Sequence, residues 1–235
     1  IKIQFPPEYM TWVNQEIEKN SLQKGHDNLL SKIVYYRMAG SSPSAFCKSI
    51  SSTLPLRGFE DPKSQKLLEL LSTKKNERWL VFTEFKETAR NLERLITERL
   101  VLSLSGDSTP EEREAYTNIF LTNNSSVMIM TPVGSEGLDF QVCSNLVNFD
   151  LHWNPMKIEQ RIGRIDRIGQ QSDKISIYNF LVSGSIDENI LDTISRKMNI
   201  IEGSFAEIMP IIEKTWEGAS MVDEEIINLE LKKAT

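Results

Sequence analysis

The chain has 235 residues with a net charge of -6, and it is 40% hydrophobic and 26% charged. That balance is ordinary for a globular protein and excludes a polycation built to coat nucleic acid, so any nucleic-acid contact has to be a local patch on an acidic body. Cys47 and Cys143 are the only cysteines; they stand outside any CxxC spacing, which fits a reduced compartment without a metal site, and no apolar run is long enough to span a bilayer.

The opening stretch, "IKIQFPP", has strand character and no initiator Met, so a piece of a longer protein is expected. Residues 1 to about 75 then read as helices and loops. "PPEYMTWVNQEIEKN" begins after a proline pair, which suits a first helical turn. "DNLLSKIVYYRMA" carries apolar residues at helical spacing, and "GSSPSAF" breaks it. "DPKSQKLLELLSTKK" starts with Asp61 as N-cap and Pro62 at the next position.

From Arg78 the texture changes to strand–helix alternation. "RWLVFT", "VLSLS", "SVMIMT", "SNLVNFD" and "KISIYNFLV" read as strands. "KETARNLERLITERL", "TPEEREAYTNIFLTN", "NPMKIEQRIGRIDRI" and "SIDENILDTISRKMNII" read as helices between and after them. Thr109 with Glu112, and Ser185 with Glu188, stand in capping-box positions. Strands alternating with helices predict a parallel sheet, and continuous apolar strands such as "VMIM" suit a sheet covered on both faces. The fold class expected is α/β with helical extensions at both ends. The stretch "FAEIMPIIEKTW" onward reads as a helical tail.

Two segments carry chemistry. "TPVGSEGLDF" (Thr131 to Phe140) follows a strand directly, where parallel sheets bind ligands. Gly134 and Gly137 allow close backbone approach. Glu136 and Asp139 offer carboxylates for a ribose hydroxyl, and Thr131 a hydroxyl for a phosphate; a glycine turn with solvated acids explains the same residues equally well. In "EQRIGRIDRIGQQ", Arg161, Arg164 and Arg167 recur every three residues, with Ile162, Ile165 and Ile168 on the same step. Read as one helix, this puts cations on one ridge and isoleucines against the sheet. Arginine binds phosphate bidentately and stabilises the transition state of phosphoryl transfer; an exposed decorative ridge is the competing reading.

Together these segments resemble known motifs. "QRIGRIDRIGQ" is similar to motif VI of the superfamily-2 helicases, "TPVGSEGLDF" to motif V, "LVFTEF" to motif IV and "LSGDSTPEERE" to the segment after it. "DLHWNP" and the terminal "RIGQ" narrow the resemblance to the Swi/Snf-type helicase-like ATPases, nearest the bacterial HepA-like branch. It covers about Asp61 to Ile201, and "YYRMAGSSPSAF" resembles the helical lead-in of that branch.

The resemblance implies a RecA-like second motor lobe over residues 61–201, a helical lead-in over 1–60 and a helical tail over 202–235. It implies Arg164 and Arg167 as arginine fingers, Gln160, Gly137 and Asp139 at the ATP site, and Thr131 at a DNA phosphate. Departures from the usual pattern are Ser135 for a glycine, Asp139 for a frequent asparagine, and His152 for a frequent proline. No GxxxxGK[ST] occurs in the sequence, and "VDEEI" (Val222 to Ile226) reads as a solvated helix. ATP and Mg would therefore be held mainly by an N-terminal lobe, and this lobe by itself is expected to turn over no ATP. The expected function is the C-terminal motor lobe of a double-stranded-DNA translocase in the bacterial cytoplasm, working with its N-terminal lobe and further protein components. A strand-separating helicase and a non-catalytic DNA- or protein-binding module are the alternatives.

Overall fold

The computed structural model describes residues 1–24, 29–50, 59–132, 134, 138–152 and 155–183. Gly137, the Ser185–Glu188 capping box, the helix expected after it and the 202–235 tail lie outside the described residues.

Five parallel strands form the sheet. They are β2 (Trp79–Phe82), β3 (Val101–Leu104), β4 (Val127–Met130), β5 (Asn145–Asn148) and β6 (Ser176–Asn179), in the spatial order β3-β4-β2-β5-β6. Strands β2, β4 and β5 are buried at every position, which is why their sequences run continuously apolar or amide-bearing instead of alternating. Edge strand β3 alternates half-buried with buried. The expected parallel α/β sheet is what the chain forms.

Helices cover both faces. On one, Leu67 and Leu71 of α4 (Pro62–Thr73) and Ala89 and Leu92 of α5 (Lys86–Leu95) pack on Trp79, Val81, Ile129 and Val147. On the other, Phe120 of α6 (Pro110–Thr122), Phe140, Cys143 and Ile165 pack on Leu80, Phe82, Met128 and Met130. Local signals set the helix starts. Asp61 accepts from the Ser64 N–H ahead of Pro62, and the capping box of Thr109 and Glu112 forms in both directions.

The lead-in helices α1 (Pro7–Lys24), α2 (Leu29–Ser41) and α3 (Pro43–Ser49) have a core of Tyr9, Val13, Ile17, Ala39, Phe46 and Ile50. They are joined to the sheet domain in three ways. Val34, Met38 and Ala45 pack on Phe85. Strand β1 (Lys2–Ile3) pairs in parallel with β7 (Leu181–Val182). The third is a buried polar network, described below.

Three expected elements change. "KISIYNFLV" is two strands in two sheets, because β6 stops at Asn179 and Phe180 turns inward before β7. The helix expected over 86–100 ends at Leu95, with the Ile96 N–H closing on Leu92 O. The helix expected over 154–168 is only α7, Pro155–Ile162. Gly163 and the turns after it break the ladder, and Gly169 adopts φ +99, a conformation that favours glycine. No helix among the described residues is long and apolar enough to cross a membrane.

Candidate functional site

The carboxyl ends of β2, β4 and β5 sit side by side, since β2 pairs with β4 on one flank and β5 on the other. The chain runs from β2 outward to β3, returns to β4, and then crosses β2 to reach β5. Ligands of parallel sheets bind where the order reverses in this way. The segment after β4 starts at this edge, and it and the turn after α7 pack on one face of the sheet through Phe140, Cys143 and Ile165, with Cys143 reaching the opposite, amino ends of β2 and β5.

These two segments are fastened to each other. The Phe140 N–H donates to Arg164 O at 2.9 Å. Arg164 Nη1 donates to Leu138 O at 3.1 Å. Arg167 Nη1 donates to an Asp139 carboxylate oxygen, in a pair whose side chains are 54% and 45% exposed. Gln170 Nε2 donates to Cys143 O at 2.9 Å. Of the residues assigned to the ATP site, the structure therefore brings Arg164, Arg167 and Asp139 together. Gln160 is exposed on the last turn of α7. Thr131 follows β4, is only 4% exposed and donates its backbone N–H to Leu104 O. Gly134 serves the protein's own packing: a Cβ there would lie 2.4 Å from Leu104 O.

The ridge of equivalent arginines does not exist. Arg161 is 6% exposed and points into the protein. Its Nη1 donates to Asp150 O at 2.8 Å and Asn148 Oδ1 at 3.1 Å, its Nη2 pairs with the Glu84 carboxylate, and its guanidinium lies over the Phe82 ring. Arg164 is half-buried in the turn, and Arg167 is exposed beyond it. The isoleucines also part ways. Ile165 is fully buried, while Ile168 is 98% exposed, because the helix that would have kept them in register ends at Ile162. Ile165→Ala should accordingly cost about 2–5 kcal/mol of unfolding free energy, and Ile168→Ala less than about 0.5 kcal/mol. Paired urea melts check this, and equal losses would contradict the burial difference.

Beneath the site lies a network that sequence reasoning missed. Asp150, at the end of β5, accepts from Lys63 Nζ at 2.7 Å, Ser41 Oγ at 2.8 Å, Thr83 Oγ1 at 2.5 Å and the Glu84 N–H at 3.0 Å. Lys63 also donates to Gly40 O at 3.0 Å and lies over the Phe149 ring. Burial pushes the Asp150 carboxyl upward, but Lys63, Thr83 and Ser41 together outweigh it and hold the group below the usual carboxylate range. "DLHWNP" pointed to this stretch without assigning its aspartate, and nothing in the sequence marks Lys63 as buried. Cys143 is no nucleophile, since burial pushes its thiol up to about 12.

A cavity of about 480 Å³ lies at the opposite edge of the sheet, lined by Leu71, Lys75, Leu95 and Arg99 among others. None of the motif residues reaches it. Among the described residues no His, Cys, Asp and Glu side chains gather to hold a metal.

Comparison with known proteins bears on the family and the fold. Residues 62–169 match the helicase conserved C-terminal domain. The chain is 31% identical over 157 residues to the ATP-dependent helicase YqhH of Bacillus subtilis, covering 66% of this chain and 28% of that protein. It is 34% identical over 165 residues to the RNA polymerase-associated protein RapA of Photobacterium profundum, covering 68% of this chain and 16% of that one. The chain thus spans less than a third of the length of these two relatives. In fold it resembles the Sulfolobus solfataricus SWI2/SNF2 ATPase core solved with double-stranded DNA, with a TM-score of 0.62 at 19% identity over 85% of this chain and 44% of that one. The chain carries a helicase conserved C-terminal domain and is similar to the Swi/Snf-type superfamily-2 helicase-like ATPases.

Proposed function

We propose that this domain is the second motor lobe of an ATP-driven translocase on double-stranded DNA. The observation that carries the reading is the fastened turn. It holds Arg164 and Arg167 beside Leu138 and Asp139, along the edge where the segment after β4 meets the turn after α7, and a nucleotide held by a neighbouring lobe is proposed to meet them there. Arginines presented from outside a phosphate cradle neutralise the charge that develops on the transferred phosphoryl group. The residues on this edge suit that far side of the nucleotide: they supply guanidinium groups, while a metal-bound triphosphate would rest mainly on the other lobe. Gln160 and Asp139 are proposed to flank the nucleotide.

Arg167 has to leave Asp139 to reach a phosphate. The pair is about half exposed, and exposed pairs are worth only about 0–1 kcal/mol, so the exchange is cheap beside what a finger contributes. The B. subtilis relative is named an ATP-dependent helicase, and the archaeal neighbour was solved on double-stranded DNA; both support the reading.

DNA contact by an acidic chain has to rest on few phosphates. Anisotropy titrations of the chain with labelled duplex should therefore show weak binding whose logarithm falls with log salt at about -0.9 per contact. Thr131→Val, which keeps the shape and removes a neutral hydroxyl, should weaken binding and leave that slope unchanged. Tight binding indifferent to salt would count against the reading.

A further inference from the structure

Gln170 ends the arginine-bearing turn and is given no catalytic or binding role in the reading above. Its side-chain amide is used at both ends. Nε2 donates to Ile165 O at 2.8 Å and to Cys143 O at 2.9 Å, and Oε1 accepts from the Ser172 N–H at 2.9 Å. Its own N–H donates to Arg167 O at 3.0 Å. One residue thus grips the turn at Ile165 and at Arg167, and ties it across to the segment after β4. Gly169, with φ +99, reverses the chain immediately before it, and a Cβ there would meet Gln141 Oε1 at 2.8 Å.

We infer that Gln170 is a positioning residue for ATP hydrolysis: its amide clamps the turn so that Arg164 and Arg167 are presented at a fixed place. The inference rests on the reading of those arginines as fingers. The backbone bonds that carry on from α7 run as far as Asp166, whose N–H donates to Ile162 O at 2.9 Å, and past that point Gln170 ties the Arg167 end of the turn to the body of the protein. The Arg167 pair is exposed and has to break when its guanidinium engages a phosphate. The Gln170 ties remain through that exchange, since they involve backbone carbonyls on the inner side. Glutamine also suits direct contact with a phosphate or an attacking water. Here both of its amide donor contacts face the protein's own carbonyls, which assigns it to the turn.

The test uses the full-length protein in which this lobe is joined to its ATP-cradling partner lobe. Gln170→Glu keeps the shape but sets a carboxylate against two carbonyl oxygens, and Gln170→Ala removes the clamp without that repulsion. Both should lower kcat by about 10- to 100-fold, the scale of a misplaced catalytic group, with KM for ATP and affinity for duplex DNA unchanged and the protein fully folded at the assay temperature, although the lost hydrogen bonds lower its melting temperature. Gln170→Lys, whose ammonium can donate to both carbonyls, should recover most of the lost turnover. Normal kcat in both clamp-less variants overturns the inference. So does a loss accounted for by the fraction unfolded at the assay temperature, or a Lys variant no better than Ala. Arg167→Ala is measured alongside. If it is inactive while the Gln170 variants are normal, only the clamp falls; if it is fully active, the finger reading falls and the clamp with it.

Discussion

In a protein joining this lobe to an ATP-cradling lobe, Arg164→Ala and Arg167→Ala each lower DNA-stimulated ATP turnover by about 10³- to 10⁵-fold, the range set by arginine fingers in related phosphoryl transfers. The fold survives both changes. Arg167 is exposed and its one carboxylate partner, Asp139, is exposed as well, so stability should move by no more than about 1 kcal/mol. Arg164 loses a single hydrogen bond to Leu138 O, worth about 0.5–1.5 kcal/mol. Arg161→Ala behaves differently. It strands the buried Glu84 carboxylate and the acceptor of Asn148, so its loss of turnover comes with a loss of folded protein. Steady-state rates beside melting curves separate the two classes. Near-normal turnover in the Arg164 and Arg167 variants would show that the turn faces something other than the phosphoryl group.

Asp150→Ala should cost about 3–5 kcal/mol of unfolding free energy, as removal of one partner from a buried ion pair does. The remaining Lys63 ammonium is 2% exposed and would keep only Gly40 O and the Phe149 ring. The Ser41 and Thr83 hydroxyls lose an acceptor at the same time. The double variant Lys63→Met with Asp150→Asn should recover part of the loss, since no charge is then stranded and an amide oxygen still accepts from both hydroxyls. Acid has a related effect. The folded-state carboxyl titrates below its ordinary value, so its stabilisation is complete above the unfolded value of about 3.9 and is lost as pH falls through the folded one. Urea unfolding at neutral pH and through the acid range measures both. An Asp150→Ala protein as stable as its parent would refute the network.

What could be read from the sequence was local or periodic. The central strands announced themselves because a strand buried on both faces has to be apolar throughout, and "WLVF" and "VMIM" are. The Thr109–Glu112 box spans one turn, so its partners can be counted off. The arginine motif was recognisable as a pattern, yet its geometry was not. Three-residue spacing suggested a continuing helix, and the glycines at 163 and 169 proved the stronger signal. Ile168 consequently lies in solvent, and Arg161 points the opposite way from Arg167. The pairing of Arg167 with Asp139 and of Lys63 with Asp150 joins residues 28 and 87 positions apart. Such contacts are set by the order of strands in the sheet, which no spacing along the chain encodes.

The Asp150 hub also governs how the protein comes apart. One carboxylate gathers donors from the end of α2, the start of α4 and the loop after β2, and Thr88 of α5 bonds the same Ser41 and the α3 cap Ser42. Opening the lead-in helices therefore exposes charges that belong to the sheet, and neither part can loosen cheaply alone. Units linked in this way exchange their amide hydrogens through a shared opening. The amides of α3, α5 and the β5 end should thus converge on one exchange free energy, and the protected unit of this domain begins well before the strands that give it its fold.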